Sequence, residues 1–123
     1  PRSTVERIAM NTLAKYRIGA HRFSLYEIEN GVLRGNRASP FDPIVAKTPF
    51  GVGDPREACV VDPMDERIHF ALNCGARSCP PIRFFTASNV EAALRGAAAA
   101  FIHSPDGAVV DGDIVRLSEL FKW

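Results

Sequence analysis

The sequence lacks any apolar run near the eighteen or so residues that a membrane-spanning helix requires. It also lacks an excess of charge, because 15 Lys and Arg residues against 14 Asp and Glu residues leave a net charge of +1. The basic residues are scattered along the sequence rather than clustered. We therefore expect no membrane span, no polybasic patch for anionic lipid and no nucleic-acid partner.

Cysteine is scarce as well. Three Cys are too few for a disulfide scaffold, and the odd count leaves at least one thiol free or intermolecular. The opening Pro1-Arg2-Ser3 does not have the pattern of a signal peptide. Because the chain has no initiator Met, that absence leaves the localisation open, with the cytoplasm slightly favoured.

The remaining composition is typical of a globular protein. A chain of 123 residues fits one domain, here 1–123, and can bury about two-thirds of its unfolded surface without metal or disulfide staples. Its 46% apolar and 24% charged residues agree with that class.

Local signals predict an α+β fold. Capping boxes begin at Ser24 and Ser88, Gly19 supplies one hairpin turn, and Asp111-Gly112 is typical of a type I′ turn. We predict short antiparallel strands and hairpins packed with about three or four helices. The helices are expected at 5–14, 24–34 and 87–103, and the hairpins at 16–23 and 109–115.

Several side chains carry specific expectations. The first helix places Val5, Ile8, Ala9 and Leu13 on one apolar face. Gly96 suggests a close crossing between the last helix and a neighbouring element.

The segment 36–65 is rich in Pro and Gly, and we expect either a packed irregular excursion or a lid. A short strand is predicted at 58–61, with Cys59 buried in it as a small hydrophobe. Four apolar side chains favour packing of the segment: Phe41, Ile44, Phe50 and Val52.

The stretch from Arg67 to Pro81 holds most of the chemically active groups. Residues 68–73 are predicted to form a short apolar strand that places Cys74 at its C-terminal end, where α/β folds bind ligands. The small-residue turn that follows, 75–78, could direct backbone N–H groups at an anion.

One interpretation is a thiol nucleophile. Cys74 lies on a turn, Arg77 can stabilise its thiolate, and His69 could take the thiol proton. A straight strand would point positions 69 and 74 to opposite faces, which opposes this pairing. Three further residues are predicted to bind ligand together with Arg77: Asn73, Gly75 and Ser78.

Other interpretations stay open. Cys74 and Cys79 could form a local disulfide, or together with His69 could bind metal, although the Cys spacing is not that of a zinc knuckle. Cys74 could equally be a buried thiol with no chemical role. A phosphatase loop is excluded, because the position where it requires Arg is Pro80 after Cys74 and Phe85 after Cys79. No metal and no cofactor is predicted.

Two acidic residues lie on the second predicted helix. Glu27 is assigned a structural role in the capping box. Glu29 has no capping role; it is either solvated or a partly buried carboxylate that orients a His or Arg, and it is the third predicted catalytic residue. His103 is expected to face the carbonyl end of the last helix.

Four blocks of sequence resemble the family called domain of unknown function 547. They are Ser24-Leu25 with Ile28-Glu29 and Gly31-Val32-Leu33-Arg34, then Arg67 to Gly75 with Ser78-Cys79-Pro80-Pro81, then Phe84 with Thr86-Ala87, and finally Val115, Leu117-Ser118 and Phe121-Lys122-Trp123. The resemblance covers the chain from about Tyr16 onward. In some eukaryotic relatives the domain follows a glutaredoxin or DEP module, and in plants a leucine-zipper-like region. The family has no established activity.

The chain departs from that family in ways that bear on the site. Relatives usually have His where this chain has Asn30, and they carry an N-terminal Trp-Ile-Asn block that is absent here. They also continue beyond the position of Trp123. Because the N-terminal block is absent, the resemblance implies that the chain is a C-terminal portion of a larger family domain. Plant relatives often have Ser at the position of Cys79 and keep the Cys at 74, which favours Cys74 over a disulfide.

The sequence therefore predicts a thiol-dependent hydrolase or transferase site centred on Cys74 and His69. The expected partner is a small molecule or a peptide. The alternative is a non-catalytic interaction or scaffold domain that is attached to other modules and binds a protein partner.

Overall fold

Helical segments of three kinds and two short hairpins make up the regular structure. The computed structural model describes residues 3–39, 47–73 and 79–122. In chain order the elements are α1 (Thr4–Leu13), β1 (Lys15–Ile18), β2 (His21–Ser24), a π-helix (Glu27–Leu33), a first 3₁₀-helix (Pro55–Cys59), a second 3₁₀-helix (Glu66–Phe70), α2 (Val90–Ile102), β3 (Ala108–Asp111), β4 (Ile114–Leu117) and a third 3₁₀-helix (Glu119–Lys122). This combination confirms the predicted α+β fold. The chain divides into two compact units, Pro1–Asp65 and Glu66–Trp123.

The first unit begins with elements that the local sequence predicts. Ser3 caps α1, where its Oγ accepts a hydrogen bond from the Glu6 N–H at 3.1 Å. β1 and β2 pair antiparallel around a turn at Gly19, whose φ of 59° is readily adopted only without a Cβ. The predicted apolar face of α1 is largely uncovered, since Val5 and Leu13 are 76% and 75% exposed.

The predicted capping box after β2 is confirmed. The Glu27 N–H donates to Ser24 Oγ at 3.1 Å, and the Ser24 N–H donates to Glu27 Oε2 at 2.7 Å. The helix that follows is a π-helix, in which the Arg34 N–H donates to the carbonyl of Glu29, five residues earlier. Because this wider turn changes the inward face, the buried residues are Asn30 and Gly31. The apolar side chains of this segment are half-buried: Leu25, Ile28, Val32 and Leu33.

Two phenylalanines form the core of the first unit. Phe23 and Phe50 are each 2% exposed, and their rings meet edge to face with centroids 6.1 Å apart. The side chain of Asn36 binds both backbone polar groups of Phe50. Its Nδ2 donates to the Phe50 carbonyl at 3.0 Å, and its Oδ1 accepts from the Phe50 N–H at 2.9 Å. Packing of the Pro- and Gly-rich segment is therefore confirmed at Phe50.

Other expectations for that segment are wrong. Val52 is fully exposed, and residues 55–59 form a 3₁₀-helix where a strand was predicted to begin at Ala58. Asp54 caps this helix through the Arg56 N–H at 2.9 Å, and Pro55 supplies a favourable first residue. The helix leaves Cys59 exposed rather than buried. Phe41 and Ile44 lie outside the described residues.

The second unit is built around α2. Leu94, Ala97 and Phe101 are buried along one face. The ring of Phe70 contacts those of Phe101 and Phe121, with centroids 5.6 and 5.7 Å away. The expectation of a close crossing at Gly96 is wrong, because Gly96 is exposed and a Cβ there would meet nothing within 4 Å.

The ends of α2 follow local rules with one exception. Its N-cap is Asn89 rather than the predicted Ser88, and Asn89 Oδ1 accepts from the Thr86 N–H at 2.8 Å instead of capping the helix. At the other end His103 Nδ1 lies 2.8 Å from the carbonyl oxygen of Ala99, as its position predicts.

The second predicted hairpin is confirmed as β3 and β4, with Asp111 paired to Ile114. Of the two central residues of the turn, Gly112 and Asp113, only Gly112 has a positive φ, at 59°. Type I′ requires positive φ at both central residues, whereas type II′ requires it only at the first. The turn is therefore of type II′, with Gly112 first.

Gly31 is predicted to be indispensable for packing. A Cβ at this position would lie 2.5 Å from both Cε2 and Cζ of Phe50. G31A should destabilise the protein by about 1–3 kcal/mol, because the buried ring must move. The measurement is urea unfolding followed by circular dichroism.

G96A is the matched control, since Gly96 is also helical and has space for a methyl group. It should stabilise the protein by up to about 1 kcal/mol through helix propensity. Equal effects of G31A and G96A would contradict the packing role of Gly31.

Candidate functional site

The predicted site divides between described and undescribed residues. His69, Asn73 and Glu29 are described. Four of the predicted residues lie outside the described part of the chain: Cys74, Gly75, Arg77 and Ser78. Their predicted roles, and the alternative of a Cys74–Cys79 disulfide, stay predictions.

His69 belongs to the second 3₁₀-helix, where it is 6% exposed. Its neighbour Ile68 is 8% exposed, and this helix packs against α2. Arg67 adds an ion pair between the same two elements, with its Nη2 3.0 Å from Glu91 Oε2. The imidazole is thus held within the packed part of the second unit.

The predicted strand at 68–73 is wrong. The N–H groups of Ala71 and Leu72 both donate to the carbonyl of Ile68, at 2.9 and 3.0 Å. These short-range bonds take the place of a strand ladder and turn the chain. A short apolar run fits a buried helical turn as well as it fits a strand, which is why periodicity alone did not separate the two. Residues 66–73 therefore contain no strand, and Cys74 does not have the predicted position at the C-terminal end of one.

Asn73 joins the two sides of the segment that contains Cys74. Its Nδ2 donates to the carbonyl oxygen of Pro80 at 2.6 Å. Pro80 is itself buried. This bond holds together the residues that flank 74–79, and it gives Asn73 a structural contact in addition to its predicted role in ligand binding.

Glu29 lies on the π-helix of the first unit. Burial raises the pKa of its carboxyl above the usual 4.5, although the positive charge of Arg34 acts in the opposite direction. Of the two alternatives considered for Glu29, a partly buried carboxylate agrees with this environment better than a solvated one.

Beside Glu29 lies a buried polar pair that sequence reasoning did not identify. Asn30 is 2% exposed and Arg34 is 4% exposed. Arg34 Nη1 donates to Asn30 Oδ1, and Asn30 Nδ2 donates to the carbonyl of Tyr26 at 3.3 Å. The spacing of four residues between Asn30 and Arg34 was the available signal. Asn30 thus holds a buried arginine.

Glu27 has the structural role that the capping box predicts, and it also pairs with two cations. It accepts from Lys15 Nζ at 2.5 Å and from Arg56 Nη1 at 3.0 Å. Burial tends to raise its pKa, but the hydrogen bonds from Lys15, the Ser24 N–H and Arg56 outweigh burial and lower the pKa to about 2. Glu27 is therefore ionised at any physiological pH.

Within residues 3–39, 47–73 and 79–122 no three His, Cys, Asp or Glu side chains are arranged to hold a metal ion. In the same ranges, no helix combines the length and the apolar character needed to cross a bilayer.

Comparison with known proteins identifies a family. The family model described as "Protein of unknown function, DUF547" matches residues 1–102. The match includes α1, which precedes the first of the sequence motifs, and it ends before β3. No curated protein and no solved structure is significantly similar to the chain.

Glu29 should make stability depend on pH. Because its pKa is raised in the folded protein, the stability linked to its protonated form is fully present below about pH 4.5 and is lost as the pH rises through the folded-state pKa. E29Q cannot ionise. It should be more stable than the wild type near pH 7 and equally stable near pH 4, as measured by melting temperature.

E27Q is the matched control with the opposite sign. The ionised Glu27 stabilises the fold above about pH 4.5, and this stability is lost as the pH falls toward 2. E27Q should therefore cost about 2–3 kcal/mol near pH 7 and much less near pH 2. If E29Q and E27Q shift stability in the same direction at neutral pH, the assignment for Glu29 is wrong.

Proposed function

We propose that this chain, which belongs to the DUF547 family, is a thiol-dependent hydrolase or transferase that acts on a small molecule or a peptide. Cys74 is the proposed nucleophile and His69 the proposed base. The observation that carries the proposal is the hydrogen bond from the Asn73 side chain to the Pro80 carbonyl, 2.6 Å long, which joins the flanks of the Cys74 segment four residues after the buried His69.

The local backbone supports the proposed pair. A straight strand would have pointed positions 69 and 74 to opposite faces. Residues 66–70 form a 3₁₀-helix instead, and the chain turns at Ala71. The geometric objection drawn from strand alternation therefore no longer weighs against a Cys74–His69 pair.

The proposed reaction is acyl transfer. The imidazole of His69 accepts the Cys74 thiol proton, the thiolate attacks a carbonyl carbon, and the imidazolium returns the proton to the departing group. Water or a second acceptor then releases the acyl group from the sulfur, which regenerates the thiol. Arg77, Ser78 and the backbone N–H of Gly75 are the proposed donors to the developing oxyanion.

Glu29 is the proposed third catalytic residue. The proposal is supported by its pKa, which burial raises, since functional carboxyls often have shifted pKa values. The raised pKa also distinguishes Glu29 from Glu27 and Asp54, whose pKa values are lowered. E29Q is the variant that tests whether this carboxyl affects turnover.

One observation favours the second candidate, a non-catalytic interaction domain. By strand alternation, Val110, Val115 and Leu117 share one face of the β3–β4 hairpin, and they are 73%, 60% and 57% exposed. A contiguous exposed apolar surface is a frequent feature of protein-binding sites. Such a domain would not require a reactive thiol, so the reactivity of Cys74 separates the two candidates.

Cys74 should react faster with iodoacetamide near pH 7 than Cys59, which is exposed and has no assigned role. The expected difference is about tenfold or more, because the thiolate is the nucleophile and a base increases its population. The measurement is the labelling rate at each cysteine by peptide mass spectrometry.

Two variants give the controls. H69N should slow labelling of Cys74 and move its pH profile upward while leaving Cys59 unchanged, with the fold checked by circular dichroism. C59S should leave the rate at Cys74 unchanged. An unreactive Cys74 in the folded wild type, or an H69N variant with an unchanged profile, would refute the catalytic proposal and favour the interaction domain.

A further inference from the structure

Two arginines lie directly opposite each other on the β1–β2 hairpin. The register pairs Arg17 with Arg22. Directly paired residues on antiparallel strands have Cβ atoms about 4.5–5.5 Å apart, so the two side chains emerge side by side. Both residues are exposed. The neighbouring Phe23 is buried on the opposite face, so the two arginines occupy the outer face of the hairpin.

The nearby carboxylates are already occupied by other cations. Glu27 accepts from Lys15 with one oxygen and from Arg56 with the other. Asp54 also pairs with Arg56, with its Oδ2 2.8 Å from Nη2. Glu27 and Asp54 are therefore committed to Lys15 and Arg56.

Neither arginine of the pair has such a partner. Within the ranges that the structure describes, Arg17 and Arg22 take part in no ion pair. Arg17 Nε donates only to the carbonyl of Gly19, at 3.3 Å, and so its guanidinium bends toward the turn. The backbone carbonyl of Arg22 accepts from Arg56 Nη1 at 3.2 Å, which brings a third guanidinium behind the pair.

The balance of charge in this region is positive. Four cations, Lys15, Arg17, Arg22 and Arg56, stand against two carboxylates, and the two uncompensated charges are those that face each other across the strands. Like charges in that position destabilise a sheet. An anion bound between them would convert this repulsion into attraction.

We propose that Arg17 and Arg22 form a binding site for a phosphoryl group, specifically a phosphate monoester dianion. Two guanidinium groups match the two negative charges of this ligand and can each donate to two of its oxygens. A carboxylate would compensate only one of them. The site is separate from the proposed Cys74 site and does not depend on it.

The test is a titration with inorganic phosphate at constant ionic strength, with chloride as the compensating ion. Backbone amide resonances of residues 17–22 should shift and saturate in the wild type. R17Q and R22Q should each weaken binding roughly fivefold or more, because one charged donor is lost, and the double variant should show no saturable shift.

R116Q is the matched control, since Arg116 is an exposed arginine on the other hairpin and pairs with Asp111 at 2.9 Å. It should bind phosphate as the wild type does. The double variant should be at least as stable as the wild type in phosphate-free buffer, because repulsion is removed. Equal phosphate shifts in the wild type and the double variant, or none in the wild type, would overturn the proposal.

The phosphoryl group could belong to a soluble ester or to a lipid headgroup. Sedimentation with phosphatidylcholine vesicles containing a phosphatidylinositol monophosphate separates the two sources. Binding to these vesicles that is lost in the double variant identifies a lipid headgroup; phosphate binding without vesicle binding identifies a soluble ester. Equal binding to phosphatidylserine vesicles would show only general attraction to negative charge and would overturn the proposal.

Discussion

The guanidinium of Arg56 connects β2, the π-helix, Phe50 and the start of the first 3₁₀-helix. It lies over the rings of Phe50 and Phe23, 4.8 and 5.8 Å from their centroids, and pairs with Asp54 and Glu27. Hydrogen bonds to Asp54 and Glu27 outweigh the effect of burial and raise the pKa of Arg56. The planar guanidinium suits this position, because it can stack on a ring and donate in its plane at once. Lysine lacks the planar group that lies flat on a ring while it donates in its plane.

Local signals account for the parts of the fold that the sequence predicts well. The bond from the Glu6 N–H to Ser3 and the reciprocal bonds of Ser24 and Glu27 each span three residues, and the two hairpin turns are set by Gly19 and Gly112. Helix α2 follows from its apolar spacing. In all of these, the residues that determine the element lie within the element, and no distant contact is needed to choose the conformation.

The predictions that failed depend on contacts between distant residues or on weak local preferences. The π-helix buries Gly31 against Phe50, and Phe50 is too distant in the sequence for residues near position 31 to predict this contact. In place of the strand predicted at 68–73 there is a 3₁₀-helix at 66–70 followed by a turn, because short apolar runs suit either form. For the candidate site, the sequence identifies the reactive residue types and offers burial of Glu29 as one of two alternatives. It does not predict the burial of His69, because the second 3₁₀-helix packs against α2, which lies far away in the sequence.

The paired hydrogen bonds between Asn36 and Phe50 have a consequence for the length of the chain between them. They join residues fourteen positions apart, with donor–acceptor distances of 3.0 and 2.9 Å, and thereby close the intervening segment into a loop. The entropy lost on closing a loop grows only logarithmically, at about 0.6 kcal/mol for each doubling of its length. Insertions or deletions within that segment should therefore alter the free energy of folding very little.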